Sequence, residues 1–351
     1  MAFASVVTLA VLFCVNVGPG VVSHRDAVLS VAVGEVGGRA IAASAGRDDT
    51  VRIWDLATRG QIGSLTVEEE PGEFLTGFER MLSIDIGRVG GRDVAVTGGW
   101  DGAIRLWDLT TEKQIRDPMT GHERRVTSVA IGELSGREII VSTGGDATLR
   151  IWDPSTGEQL GDPLTGHLGI VSSVVLSEVN GRPVVVSGGR DGTVRMWNLE
   201  TRKQVGGPMT VHEQVMSVAV GEADGRKVAV SGGWDGTVRV WDLATGTQIG
   251  PPLAAHERAG GPVAVAQMNG RPVIFSAGGF DRAVRMWDLI ARKPVGDPLT
   301  GHTETVHALK VTRVDGRSVA VTAGQDRTIR TWDLVTGEQV GEPWVGRERD
   351  R

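Results

Sequence analysis

A hydroxyl residue, a histidine and an aspartate recur together six times in this chain of 351 residues. The sets are His24, Ser44 and Asp48; His122, Ser142 and Asp146; His167, Ser187 and Asp191; His212, Ser231 and Asp235; His256, Ser276 and Asp281; and His302, Thr322 and Asp326. In a single copy such a trio suits acyl transfer, with the hydroxyl as nucleophile, the imidazole as base and the carboxylate orienting the ring. Six copies at one spacing argue against that chemistry, because an enzyme needs one. Every aspartate also stands six residues before a tryptophan: Trp54, Trp152, Trp197, Trp241, Trp287 and Trp332. A seventh unit has Thr97, Asp101 and Trp107, with Phe78 near the histidine position.

The elements that must position these residues repeat with them. Successive tryptophans lie 53, 45, 45, 44, 46 and 45 residues apart. A period in this range marks a repeat architecture, in which each unit buries its faces against its neighbours. In the unit 122–165, a β-rich run (Val126 to Ile131) and an apolar run (Glu138 to Val141) flank the turn Ser135-Gly136. An alternating run (Thr148 to Trp152) and a short run around Leu160 follow. Together they predict a four-stranded meander. The first turn recurs as Gly37-Gly38, Gly90-Gly91, Asn180-Gly181, Asp224-Gly225, Asn269-Gly270 and Asp315-Gly316, dipeptides that suit two-residue hairpins. The net charge of −6 gives no basic field for nucleic acid. The lone cysteine, Cys14, excludes intramolecular disulfides and Cys-ligated zinc, and suits a reducing, cytoplasmic setting. No cofactor or metal motif occurs.

Seven four-stranded units suggest radial closure. The histidine near each start, the turn aspartate, the terminal Trp-Asp and the period together resemble the WD-repeat family of β-propellers, over roughly residues 15–345. The resemblance implies an all-β, seven-bladed propeller of four-stranded antiparallel blades, spanning 24–345, with a polar tail at 346–351. It also implies that each His, Ser or Thr, Asp and Trp forms a structural hydrogen-bonded tetrad. Blade two lacks its histidine and is expected to be the loosest; it also carries the insertion Glu68-Glu69-Glu70-Pro71. Blade six has one extra residue between Ser276 and Asp281, which suggests a bulge. An arginine two residues before every tryptophan (Arg52, Arg105, Arg150, Arg195, Arg239, Arg285 and Arg330) reads as scaffold, pairing with neighbouring carboxylates.

The apolar segment 1–23 reads as a spare outer strand or a tail. A membrane anchor through residues 1–17 and a cleaved signal are the alternatives. Both this segment and Gln339 to Pro343 match an outer strand, and a seven-bladed ring needs one of them.

In the family, partners dock on the top face at two places. One is the residue before each turn aspartate: Arg47, Trp100, Gly145, Arg190, Trp234, Phe280 and Gln325. The other is the start of the inner strand: Leu29, Leu82, Thr127, Ser172, Met216, Gly261 and His307. The aromatic residues with Leu29, Leu82 and Met216 suit an apolar contact patch, rimmed by Arg80, Arg125 and Arg190. Asp85 and Lys310 replace small apolar residues of the inner strands, with channel water as their expected solvent. The expected function is a monomeric, non-catalytic scaffold for protein or peptide partners, possessing no site for nucleic acid. The rival reading is a ligand-binding or hydrolytic propeller working through its central funnel, in which His307 is the one histidine outside the tetrads.

Overall fold

A computed structural model of the chain describes residues 24–66, 81–210 and 212–344. Phe78, Arg80, the acidic insertion, the readings placed on residues 1–23 and the tail at 346–351 lie outside the described residues. Within them the chain forms seven antiparallel sheets that follow one another round a ring, and blade one packs against blade seven. The inner strands line the central channel: Val28–Val36, Met81–Val89, Val126–Leu134, Val171–Val179, Val215–Ala223, Gly260–Met268 and Val306–Val314. Each is followed by a second strand, of which Arg39–Gly46 and Arg182–Gly189 are examples, buried over its last six residues. Blades sandwich this strand on both faces, which explains its unbroken apolar sequence. Both residues of the connecting hairpin have positive φ, as at Asn180 (52°) and Gly181 (73°). That is the backbone twist a two-residue hairpin requires.

Outer strands are less regular than the four-stranded expectation. Blades one and four have continuous ones (Gln61–Leu65 and Lys203–Thr210), whereas blade five splits its own into Thr247–Gln248 and Leu253–Ala254, and blade two into Lys113–Gln114 and a bridge from Met119 to Ile104. Blades three, six and seven retain only isolated bridges such as Leu149 to Leu164 and Val284 to Leu299. Gly161, Gly250, Gly296 and Gly341 have positive φ, and a proline without an N–H stands within two residues of each; blade four has the same pair, Gly206 and Pro208, and there the ladder shifts register between Val194 and Met196. Either feature interrupts a ladder.

Ring closure comes from the C-terminal side. Gln339 bridges Trp332, and the N–H groups of Val340 and Trp344 donate to the carbonyls of Thr331 and Ile329 at 2.8 and 2.9 Å. Trp344 is buried against Trp54, with ring centroids 5.3 Å apart. It completes a series. The tryptophan of every other blade shares a core cluster with one residue of the preceding outer strand: Leu65, Met119, Leu164, Met209, Leu253 or Leu299. Trp344 is the larger version of that residue, placed where blade seven meets blade one.

A second interblade device runs round the inner wall. Ser30, Ser83, Ser128, Ser173 and Ser217 each accept a backbone N–H from the next blade, at Ile84, Val129, Val174, Val218 and Val263 respectively. The equivalent positions in blades six and seven are Pro262 and Ala308, by their register against the second strand. Among the described residues, no helix is long and apolar enough to cross a membrane.

Removing the buried indole in Trp344→Ala should cost about 3 kcal/mol or more, the usual loss for a large core aromatic. A shift in the urea midpoint at unchanged slope would measure it; no shift would mean that Trp344 does not hold the ring.

Candidate functional site

The histidine, hydroxyl, aspartate and tryptophan of each unit meet behind the top-face turn. In blade four, His167 Nδ1 lies 3.0 Å from Asp191 and its Nε2 lies 2.8 Å from Ser187 Oγ. The indole N–H of Trp197 donates to the same Oγ at 2.9 Å. A carboxylate only accepts, so Nδ1 carries the ring proton. In the neutral ring Nε2 then accepts from the serine hydroxyl. Blades one, three, five, six and seven repeat the chain of bonds. The hydroxyls are fully buried and occupied by an indole on one side and an imidazole on the other. None faces space that an acyl group could enter. Gly189 leaves room for this cluster, since a Cβ there would stand 2.5 Å from His167 Nδ1.

A fifth member escaped the sequence reading. Thr50, Thr148, Thr193, Thr237 and Thr328, two residues after the aspartate, donate Oγ1–H to its carboxylate at 2.8 to 2.9 Å. Its signal was the Asp-x-Thr spacing. Blades two and six have Ala103 and Ala283 there. In those two blades the scaffold arginine turns onto the aspartate instead: Arg105 bonds Asp101 at 2.7 Å, and Arg285 bonds Asp281. Elsewhere the arginine bonds an outer-strand glutamine: Gln61, Gln159, Gln204, Gln248 or Gln339. Arg150, Arg195 and Arg239 also pair with their turn aspartates at 3.8 to 3.9 Å. With blades two and six, the expected carboxylate pairing is present in five blades among the described residues, shared in three of them with the glutamine. Blade six needs a correction. Its extra residue lengthens the turn, where Gly278 N–H reaches Ala283 five residues on, whereas Gly46 reaches Thr50. The inner strand has a register shift at this end in all seven blades, so it does not set blade six apart.

On the top face, Trp100 (40%), Trp234 (42%) and Phe280 (66%) are exposed. Trp234 and Phe280 stand on adjacent blades at the mouth of the central channel, a cavity of about 760 Å³ that Leu29, Leu82, Met216 and His307 also line. Backbone bonds anchor this surface: the N–H groups of Arg47, Arg190, Trp234 and Gln325 donate to carbonyls just ahead of the inner strands. Trp100 does not line the mouth. It lies under Arg125, whose guanidinium carbon is 4.6 Å from the ring centroid.

Comparison with known proteins agrees with this geometry. The family model "WD domain, G-beta repeat" matches residues 19–55, 89–108, 113–153, 157–198, 204–242 and 292–333, well over half of the chain. The chain is a WD-repeat protein. Among similar proteins is the guanine nucleotide-binding protein subunit beta-like protein of Encephalitozoon cuniculi (strain GB-M1), 32% identical over 108 residues, which are 29% of each chain. Another is the small ribosomal subunit protein RACK1y of Oryza sativa subsp. japonica, 30% identical over 94 residues, 25% of this chain and 27% of that one. Mitochondrial division protein 1 of Mycosarcoma maydis is 34% identical over 77 residues, 22% of this chain and 8% of that one. The matched region therefore spans less than a third of each relative.

The WD-repeat ring thus sorts the sequence-derived surface residues into two groups. Leu29, Leu82, Met216, Trp234, Phe280 and His307 gather at the mouth. Trp100 and Arg190 belong to a separate patch around Arg125. Arg47 is exposed beside the mouth and acts on His307: burial and then the Arg47 charge hold that imidazole below its ordinary value, with Asp326 opposing. Gln325 is exposed at its own turn. Leu168, 89% exposed, was missed. Its signal was an apolar residue directly after a tetrad histidine, where Arg25, Glu123, Glu213, Glu257 and Thr303 stand in other blades.

Lower in the channel, Asp85 accepts the Ile131 N–H of blade three at 2.9 Å, so protein backbone shares the solvation that channel water was expected to supply. Burial pushes its carboxyl up, opposed by the charge of Lys310 and by N–H bonds. No ion pair joins Asp85 and Lys310 among the described residues. Nor do those residues hold a cluster of three or more His, Cys, Asp and Glu side chains arranged for a metal ion.

The tetrads make stability depend on acid. Burial opposes ionisation of Asp48, Asp281 and Asp326, but hydrogen bonds and charges from their histidines and other neighbours together outweigh it and hold each carboxyl at about 2. Asp146 and Asp191 are lowered further. A depressed folded-state value contributes stability above the ordinary 3.8, lost as pH falls toward 2. Urea midpoints should therefore drop steeply between pH 4 and about pH 2. Ser187→Ala, which strands the indole of Trp197 and the imidazole of His167, should cost about 1–3 kcal/mol in the same assay at neutral pH.

Proposed function

We propose that this WD-repeat propeller is a non-catalytic scaffold that docks a protein or peptide partner on its top face, centred on the channel mouth. One observation carries the reading: Trp234 and Phe280, two large aromatic side chains, stand exposed on neighbouring turns over that mouth. Turn positions require no aromatic residue, and neither ring is needed by the core beneath. Aromatic anchors beside a depression are the usual centre of a protein interface. Half-buried Leu29, Leu82 and Met216 extend the apolar floor. Engagement of the tetrad hydroxyls in structural bonds supports the non-catalytic part. Partner binding by this chain rests on its own surface, because its likeness to each relative covers a minority of both chains.

The test compares wild type with Trp234→Ala/Phe280→Ala by crosslinked affinity capture from native lysate. Both side chains are exposed, so the variant should melt within a few degrees of wild type. Partner recovery should fall about 30-fold or more if each ring is an anchor. Undiminished recovery by a folded variant would move the interface away from the mouth.

A further inference from the structure

The surface around Trp100 is built differently from the mouth. Blade three has Gly145 where its neighbours before the turn aspartate have Trp100 and Arg190. The missing side chain leaves room that neighbouring side chains fill. Arg124 and Arg125 close over it: a Cβ on Gly145 would stand 3.3 Å from Arg124 Cβ and 3.5 Å from Arg125 Cγ. Arg125 then lies on the Trp100 ring, an arrangement that orients a guanidinium while leaving its N–H edge free to bond. Arg190 and exposed Leu168 form the far wall, beside Gly169.

These charges are poorly matched within the chain. Among the described residues, no carboxylate lies within ion-pairing distance of Arg124, Arg125 or Arg190. Asp146 and Asp191, the nearest turn aspartates, are taken by His122 and Thr148 and by His167 and Thr193. Asp101 is taken by Arg105. Glu123 is exposed and bonds Asp146 only through its backbone N–H. Burial, then Arg190 and Arg124, oppose the charge on Arg125. A cluster of guanidinium groups held together in a protein of net charge −6 is complementary to carboxylates brought by something else.

We propose that this arginine surface takes an acidic peptide segment of the partner, its carboxylates on Arg124, Arg125 and Arg190 and a neighbouring apolar side chain against Trp100 and Leu168. The proposal deepens the docking reading and rests on it, but it concerns different residues, so the two can fail separately. The apolar walls, Trp100 and Leu168, favour a peptide over a nucleic acid.

Fluorescence anisotropy with a labelled random copolymer of glutamate and tyrosine tests it, using the full chain at low salt. Wild type should bind, and affinity should fall as salt screens the contacts. Arg125→Glu/Arg190→Glu should weaken binding at least tenfold, Trp100→Leu several-fold, and Arg125→Lys by an intermediate factor because a lysine cannot bind a carboxylate in bidentate fashion. Arg190→Glu alone, exposed on its turn, serves if the double variant fails to fold. Trp234→Ala/Phe280→Ala should bind the copolymer as wild type does. The proposal is overturned by no binding to wild type, by binding indifferent to the arginine changes, or by equal or tighter binding of a single-stranded oligonucleotide with the same sensitivity. Loss of partner capture on changing Trp234 and Phe280, with the arginine variants unaffected, would leave the docking reading standing and remove this one.

Discussion

One buried hydroxyl per blade holds the ring in order. Placed on the second strand, it accepts the indole N–H of the third strand and, in every blade but the second, donates to an imidazole that arrives just before the inner strand. It thereby ties three strands together where no water reaches. Each polar group in that cluster would be costly to bury alone, and each is satisfied only by the others. Much else follows from this constraint. The aspartate must sit in the turn to orient the imidazole, glycine must precede the turn to make space, and a threonine or an arginine must complete the carboxylate. The top-face turns are therefore rigid, and side chains borne on them, such as Trp234 and Arg190, are presented in fixed directions.

The same constraint separates function from framework. Residues repeated in nearly every blade, including the catalytic-looking Ser, His and Asp sets, are consumed by the fold. Variation marks what is left over. Trp100, Gly145, Leu168, Arg190, Trp234 and Phe280 occupy equivalent or adjacent turn positions, yet differ from blade to blade. The framework imposes no chemistry on them. Blades two and six show that even the framework tolerates exchange: an alanine in place of the threonine is answered by an arginine swung onto the aspartate.

Much of this was legible in the residues. Period, hairpin dipeptides and tryptophan spacing revealed seven units because each depends on local backbone geometry that a sequence carries directly. The elements of the tetrads were visible for the same reason. What stayed hidden depends on relations between units. Trp344 lies outside the regular tryptophan spacing, and its role shows only where blade seven meets blade one. The inner-wall serines make their bonds to the next blade, some 45 residues away in the numbering, and only register shows it. The grouping of Trp100 with Arg125 and Arg190, apart from the mouth, depends on side-chain directions across three blades. The glutamine that shares the arginine with the aspartate stayed hidden because charge alone suggested a carboxylate, whereas the outer strand also places an amide opposite.

The serine ties of the inner wall join blades one through six in sequence, but Pro262 and Ala308 offer no hydroxyl to the blades that follow them. The wall is thus stapled along five consecutive joints and left to apolar packing at the two that border blade seven. The blade that carries His307 and Lys310 is the one whose inner strand has no serine tie to either neighbour, and its joint with blade one is held instead by Trp344 against Trp54.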